Sequence, residues 1–331
     1  MAADRVDEEL RAALAAAASE DATPSERAEM LMEIAAGFQR RPGSPDHLHA
    51  AVALYDKALA ICPSDDRLLR ARITAGKGTA LQAIPHDLCS LEQALAAYEE
   101  AKPVLAASGL AAEIAEVEMN VGVVLHNLAG AGRARITDAI SAYQRALRTF
   151  DREQFPREYA ILQSNLATAF LSIPFTDERA RMREALAVQA FEEGLKVVNL
   201  VDHPAEYAML QNNLGNALQY ASSSHVVENN LRALVAYDEA LKVRRRETSP
   251  LEFANTVANK ANCLRNLPDE PQHPGRGNRA NLAQARACYA QAREIFMAHG
   301  EIDKARVVAE AALEIEREIL AAEELPEHAA S

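Results

Sequence analysis

The residues whose spacing points to a shared task are asparagines. Three stretches, FPREYAILQSNLATAF from Phe155, HPAEYAMLQNNLGNAL from His203 and SPLEFANTVANKANCL from Ser249, each carry a Pro followed nine residues later by an Asn. These are Asn165, Asn213 and Asn259, and Asn120 holds the same register in an earlier copy. At about 100° per residue they fall away from packing positions such as Leu214, Gly215 and Leu218. The same face gathers Asn212, Asn216, Asn262, Arg265 and His126. Asparagine carries a donor and an acceptor on one short arm, so a row of them can grip an extended peptide backbone without reading its sequence. The same row can instead bond the adjacent repeat and hold a stack together, and the two uses can coexist. Four such bonds are worth about 2–6 kcal/mol net. A micromolar complex needs about 8 kcal/mol, so neighbouring pockets must add to the ladder.

Other candidate chemistry is sparser. Lys242, Arg244, Arg245 and Arg246 form a dense basic run that reads either as favourable charge at a helix C-terminus or as an anion patch. The long Pro- and Gly-rich loop Leu267–Ala280 could join it in a small-ligand site, which is the alternative reading of function: a regulatory sensor or an enzyme. Ala75-Gly76-Lys77-Gly78-Thr79 lacks the spacing of a phosphate loop. His47 and His49 are two apart and do not share a helix face. No catalytic motif and no metal-ligand spacing is present, so no catalytic residue, metal or cofactor is expected. The four cysteines, Cys62, Cys89, Cys263 and Cys288, are unpaired in pattern and read as small buried hydrophobes.

The elements that position the asparagines are helices. Tyr55, Tyr98, Tyr143, Phe191, Tyr237 and Tyr289 each have Ala four residues before and Ala or Gly three residues after. That spacing sets one large ring between two small residues on a single helical stripe, as closely crossing helices require. A second helix type precedes each ring and carries its own small residue: Ala35, Gly78, Gly122, Ala167, Gly215 and Ala261. Length variation is confined to the turn inside each pair, as in a stacked array.

These residues resemble the tetratricopeptide repeat family. The likeness rests on the N-L-G/A-x-x-L core at Asn213, Leu214, Gly215 and Leu218, on the A-x-x-x-Y/F-x-x-A core of the second helix, and on Pro63 eight residues after Tyr55. The period of 43–52 residues exceeds the family's usual length of about 34 and is similar to long-repeat variants such as kinesin light chain and bacterial repeat proteins. The resemblance implies an all-α fold, an α-solenoid of about six helix-turn-helix repeats with capping helices at both ends and a right-handed superhelix. It implies repeats at about 24–63, 66–108, 109–152, 156–201, 204–248 and 250–299, inside a solenoid over 23–320. An N-terminal cap is expected at 1–22, a C-terminal cap at 301–320 and a flexible tail at 321–331. It also implies a non-enzymatic interaction scaffold that takes a peptide segment or partner helix in its concave groove.

Composition agrees with that class. Trp is absent and aromatics are only 5%, which favours tight small-residue helix packing. A net charge of −13 argues against nucleic-acid binding, for which phosphate neutralisation needs clustered cations. No apolar run reaches the about 18 residues of a membrane span, and the first helix is acidic rather than signal-like. A cytoplasmic protein with a protein or peptide partner is expected.

Overall fold

The computed structural model describes residues 2–16, 22–40, 42–174, 178–221, 225–273, 275 and 277–324. These form fourteen α-helices and no strand, and within each of two units consecutive helices pack on one another in the manner of a helical repeat. Among the described residues no helix is long and apolar enough to cross a membrane. Two compact units divide at Asp151 and Arg152.

The first unit holds α1 (Ala2–Ala16), α2 (Pro24–Arg40), α3 (Pro45–Ile61), α4 (Arg67–Ala83), α5 (Leu88–Ala107), α6 (Ala111–Gly130) and α7 (Ile136–Ala146). Here α2 pairs with α3, α4 with α5 and α6 with α7, while α1 packs on α3. Along the stack α2 touches α4 and α4 touches α6. The second unit holds α8 (Pro156–Leu171), α9 (Glu178–Leu195), α10 (Pro204–Gln219), α11 (Val226–Leu241), α12 (Pro250–Arg265), α13 (Arg279–Ala298) and α14 (Ile302–Glu324). Its pairs are α8 with α9, α10 with α11 and α12 with α13, and α10 touches both α8 and α12. In both units first helices of successive pairs meet, and the second helix of each pair also packs on the first helix of the next: α3 on α4, α5 on α6, α9 on α10 and α11 on α12. The last helix, α14, packs on α13 and runs to Glu324, four residues into the segment expected as tail. Residues 325–331 and residues 17–21 of the expected N-terminal cap lie outside the described residues.

Local sequence accounts for the helix ends. At the start of α2, Glu26 accepts hydrogen bonds from the backbone and hydroxyl of Thr23, both at 2.7 Å, and its own N–H reaches Thr23 Oγ1 at 3.3 Å. This reciprocal box satisfies donors that a helix start leaves open. Helices α8, α10 and α12 each open on Pro, where the missing N–H costs nothing, with Glu two residues on, beside the positive end of the helix dipole. At the end of α13, Gly300 takes φ 76° and lets the Glu301 N–H reach Phe296 O at 2.9 Å, closing the last turn.

The seam of each pair is a ring in a socket. A Cβ on Gly122 would stand 2.3 Å from Tyr143 Cε1, and one on Gly215 would stand 2.6 Å from Tyr237 Cε1. Glycine is therefore required for the ring to lie flat against the facing backbone. The phenol then needs an acceptor, because a buried hydroxyl without one is costly. Tyr55 donates to Gln39 Oε1 at 3.2 Å, Tyr98 to Gln82 Oε1 at 3.0 Å, and Tyr237 lies 2.8 Å from both Gln219 Oε1 and Asn216 Oδ1. Each Gln stands four residues past the small residue of its helix. At that position opposite Phe191, which has no hydroxyl, the chain has Leu171, packed on the same apolar cluster. Burial pushes the Tyr55 and Tyr289 phenols up to about 12 and keeps them protonated. Tyr237→Phe should cost about 1 kcal/mol in urea denaturation, the net worth of a satisfied hydroxyl; an unchanged midpoint would remove the acceptor role of Asn216 and Gln219.

Candidate functional site

The asparagine face divides into two different structures. In the second unit the side chains bond one another across three consecutive first helices. Asn259 Nδ2 of α12 donates to Asn212 Oδ1 of α10 at 3.3 Å, and Asn212 Nδ2 donates to Asn213 Oδ1 at 3.2 Å. Asn213 Nδ2 then donates to Ser164 Oγ of α8 at 3.3 Å. The Thr256 hydroxyl lies 3.2 Å from Asn212 Oδ1 and 2.9 Å from the Glu252 carbonyl, with one proton to give. Asn212, Ser164 and Thr256 are buried. A polar set this deep is stable only because its members satisfy one another.

The other asparagines on this face are taken up by the seams. Asn216 accepts from Tyr237, as described, and Asn262 Oδ1 accepts from the Tyr289 hydroxyl. Arg265 reaches Glu314 at 2.9 Å and also pairs with Glu318, tying α12 to α14. Asn165, half-buried, makes no side-chain hydrogen bond among the described residues.

The first unit differs. Asn120 is also free of side-chain hydrogen bonds among the described residues, and it lines an open groove of about 390 Å³ that runs over α2, α4 and α6. Along the groove wall one ladder position is a glycine. Two residues before the small residue of each first helix stand Glu33, Gly76, Asn120, Asn165, Asn213 and Asn259. Glu33, Gly76 and Asn120 all line the groove, with Gly76 standing where later copies have Asn. No side chain larger than hydrogen fits at 76, since a Cβ there would lie 2.7 Å from Tyr55 Cε1. Met32, Ala36 and Ala75 add apolar wall, and the charges are Glu33, Glu113, Glu116, Arg40 and Arg72. Arg72 is held by Glu113 through two bonds of 2.7 and 3.0 Å.

His126 lies half-buried on α6, and burial holds its imidazole below the ordinary value of 6.5. An unfolded chain therefore takes up that proton more readily than the folded one. The contribution of His126 is complete above about pH 6.5 and falls as the pH drops through the window below it. Urea denaturation at pH 7.5 and pH 5.5 should show a smaller acid loss in His126→Gln than in the parent chain. Equal losses would remove His126 from the account.

The basic run does not converge. Lys242 bonds Glu239, Arg246 bonds Glu294 of α13, and Arg244 donates to Thr256 Oγ1 at 2.9 Å. Burial lowers the pKa of Arg244, with Glu252 opposing the shift. Arg245 is exposed, and its backbone N–H reaches Ser249 Oγ at 3.2 Å. Adjacent residues leaving a helix end thus point to separate partners. The loop after α12 folds back on itself: Asp269 accepts from the N–H groups of Ala280 at 2.9 Å and Asn281 at 2.8 Å, capping α13. His273 lies exposed there beside Glu270.

Cys62 and Cys263 are buried as expected, and burial pushes the Cys263 thiol up to about 12. Cys89 corrects the reading of the cysteines as buried, for it is exposed at the start of α5, and Cys288 is half-buried. The groups that the reading of the chain missed are Gly76, Gln39 and Gln82. Their signal was present in the register, as polar residues opposite every Tyr and Leu171 opposite Phe191. Compared with protein-family models and with curated proteins, the chain matches none.

Proposed function

We propose that the protein is a non-enzymatic scaffold of tetratricopeptide type, an α-solenoid of six repeats with a right-handed superhelix and a cap at each end. It binds a peptide segment or partner helix along the wall made by the first helices. The observation that carries this reading is the groove over α2, α4 and α6, where ladder positions from three successive helices open onto one cavity. Its volume is in the range of ligand pockets, about 300–1,000 Å³. The contacts between successive first helices support placing the concave wall on that side. Asn120 has an amide free to meet a peptide carbonyl and N–H, while Asn213 and Asn259 are engaged by the stack.

The test is to pan a displayed library of random dodecapeptides against the full chain and measure the selected peptides by fluorescence anisotropy. Asn120→Ala should weaken binding about tenfold, the equivalent of one well-made hydrogen bond, with an unchanged melting temperature. A library that yields no binder, or binders indifferent to Asn120, would overturn the reading.

A further inference from the structure

We infer that the groove over Gly76 is a subsite for a basic side chain, lysine or arginine, of the bound peptide. This rests on the groove being a peptide site. The argument begins with the register. Every first helix from α6 onward puts an asparagine on the ladder, and α4 alone has no side chain there at all. The two flanking rungs, Glu33 on α2 and Asn120 on α6, therefore line the groove on either side of Gly76, against which the edge of the Tyr55 ring lies in place of a rung. An amide rung satisfies its neighbours from within the chain, as Asn212, Asn213 and Asn259 do in the second unit. At Gly76 no amide offers such a bond, and a ligand side chain lying in the groove over Gly76 and the Tyr55 ring can offer it instead.

The flanking groups select the entrant. Glu33 is exposed and makes no ion pair among the described residues, and the Asn120 carbonyl oxygen adds a second acceptor. Glu116 lies one turn before Asn120 on the same wall. The two cations of the groove do not cancel this. Arg72 is occupied by Glu113 in a two-point pair. Arg40 stands seven residues past Glu33, about 10 Å further along α2, and acts with Glu33 on the Tyr55 phenol, so it offsets the negative field only in part. A cationic side chain over Gly76 thus meets a carboxylate and an amide oxygen, whereas an acidic one meets a like charge. The groove floor of Ala75 and Gly76, with Ala36 and Met32 beside it, suits the aliphatic stem of lysine or arginine.

The experiment uses the dodecapeptides selected on the full chain, resynthesised with each Lys or Arg changed to Gln or to Glu. One basic position should recur among the selected sequences. Changing it to Gln should weaken binding about tenfold, and to Glu further. Glu33→Lys should remove the preference for the basic peptide and improve binding of the Glu form. Because Glu33 is exposed, an unchanged melting temperature will accompany this. Selected peptides without a recurring basic residue, or a Glu33→Lys chain that keeps the parent's order of preference, would overturn the subsite while leaving the groove intact. Failure to select any peptide would instead overturn the groove itself as a peptide site, and the subsite with it.

Discussion

Gly122→Ala should lower the stability of the first unit by about 2 kcal/mol, whereas the same change at Gly37 should raise it. Both glycines are helical, and intrinsic propensity favours Ala at each by about 1 kcal/mol. What differs is the space. At Gly122 the new methyl would lie 2.3 Å from Cε1 and 2.5 Å from Cδ1 of Tyr143, a ring only 1% exposed with no room to retreat. Overpacking of this kind costs about 1–3 kcal/mol, and so close an approach belongs at the upper end. At Gly37 nothing lies within 4 Å of the added atom. In thermal melts the net loss at Gly122 corresponds to a fall of about 4–8 °C. A Gly122→Ala chain as stable as the parent would mean that the ring is not seated on that backbone.

Asn212→Ala should cost about 2–3 kcal/mol, against less than about 0.5 kcal/mol for Asn165→Ala. Asn212 is the branch point of the polar set. It accepts from Asn259, lies beside the Thr256 hydroxyl and donates to Asn213, while itself only 7% exposed. Truncation leaves the Asn259 amide N–H and the Asn213 amide oxygen without their partner in a setting that water reaches poorly, while Thr256 keeps Glu252 and Arg244, and stranding two groups is more costly than losing one bond. Asn165 has no such partners to strand. Chemical denaturation of the two single variants checks the contrast, and equal effects would sink the idea that the network holds α8, α10 and α12 together.

The helix pairs were legible because their signal is steric and repeats. One large ring between two small residues has few other uses, and the small residue facing it fixes the register of the partner helix. The asparagine positions were legible for the same reason. Their use was not, because it depends on the residue one place earlier. Ser164 and Asn212 supply the inter-helix partners in the second unit, while Met119 precedes Asn120 in the first. Asn212 falls on the ladder face by helical geometry, but a face argument does not tell whether a group there meets a ligand or the same face of the next helix. The basic run misled in the opposite sense. Its residues are contiguous in sequence, yet the chain leaves α11 there, and Lys242, Arg244 and Arg246 take partners on three different helices. Cys89 lies exposed because it opens α5, where the helix has not yet entered the core.

The rings seated in the seams have a spectroscopic consequence. The chain has no Trp and eight Tyr, so its near-ultraviolet emission is tyrosine emission alone. Five of those chromophores, Tyr55, Tyr98, Tyr143, Tyr237 and Tyr289, are buried one to a pair, and the pair of α8 and α9 holds the dark ring of Phe191. Opening any of the five would hydrate its own phenol, so the protein carries a separate optical reporter in each helix pair but one. A tyrosine-free background with a single ring restored would then light one pair at a time.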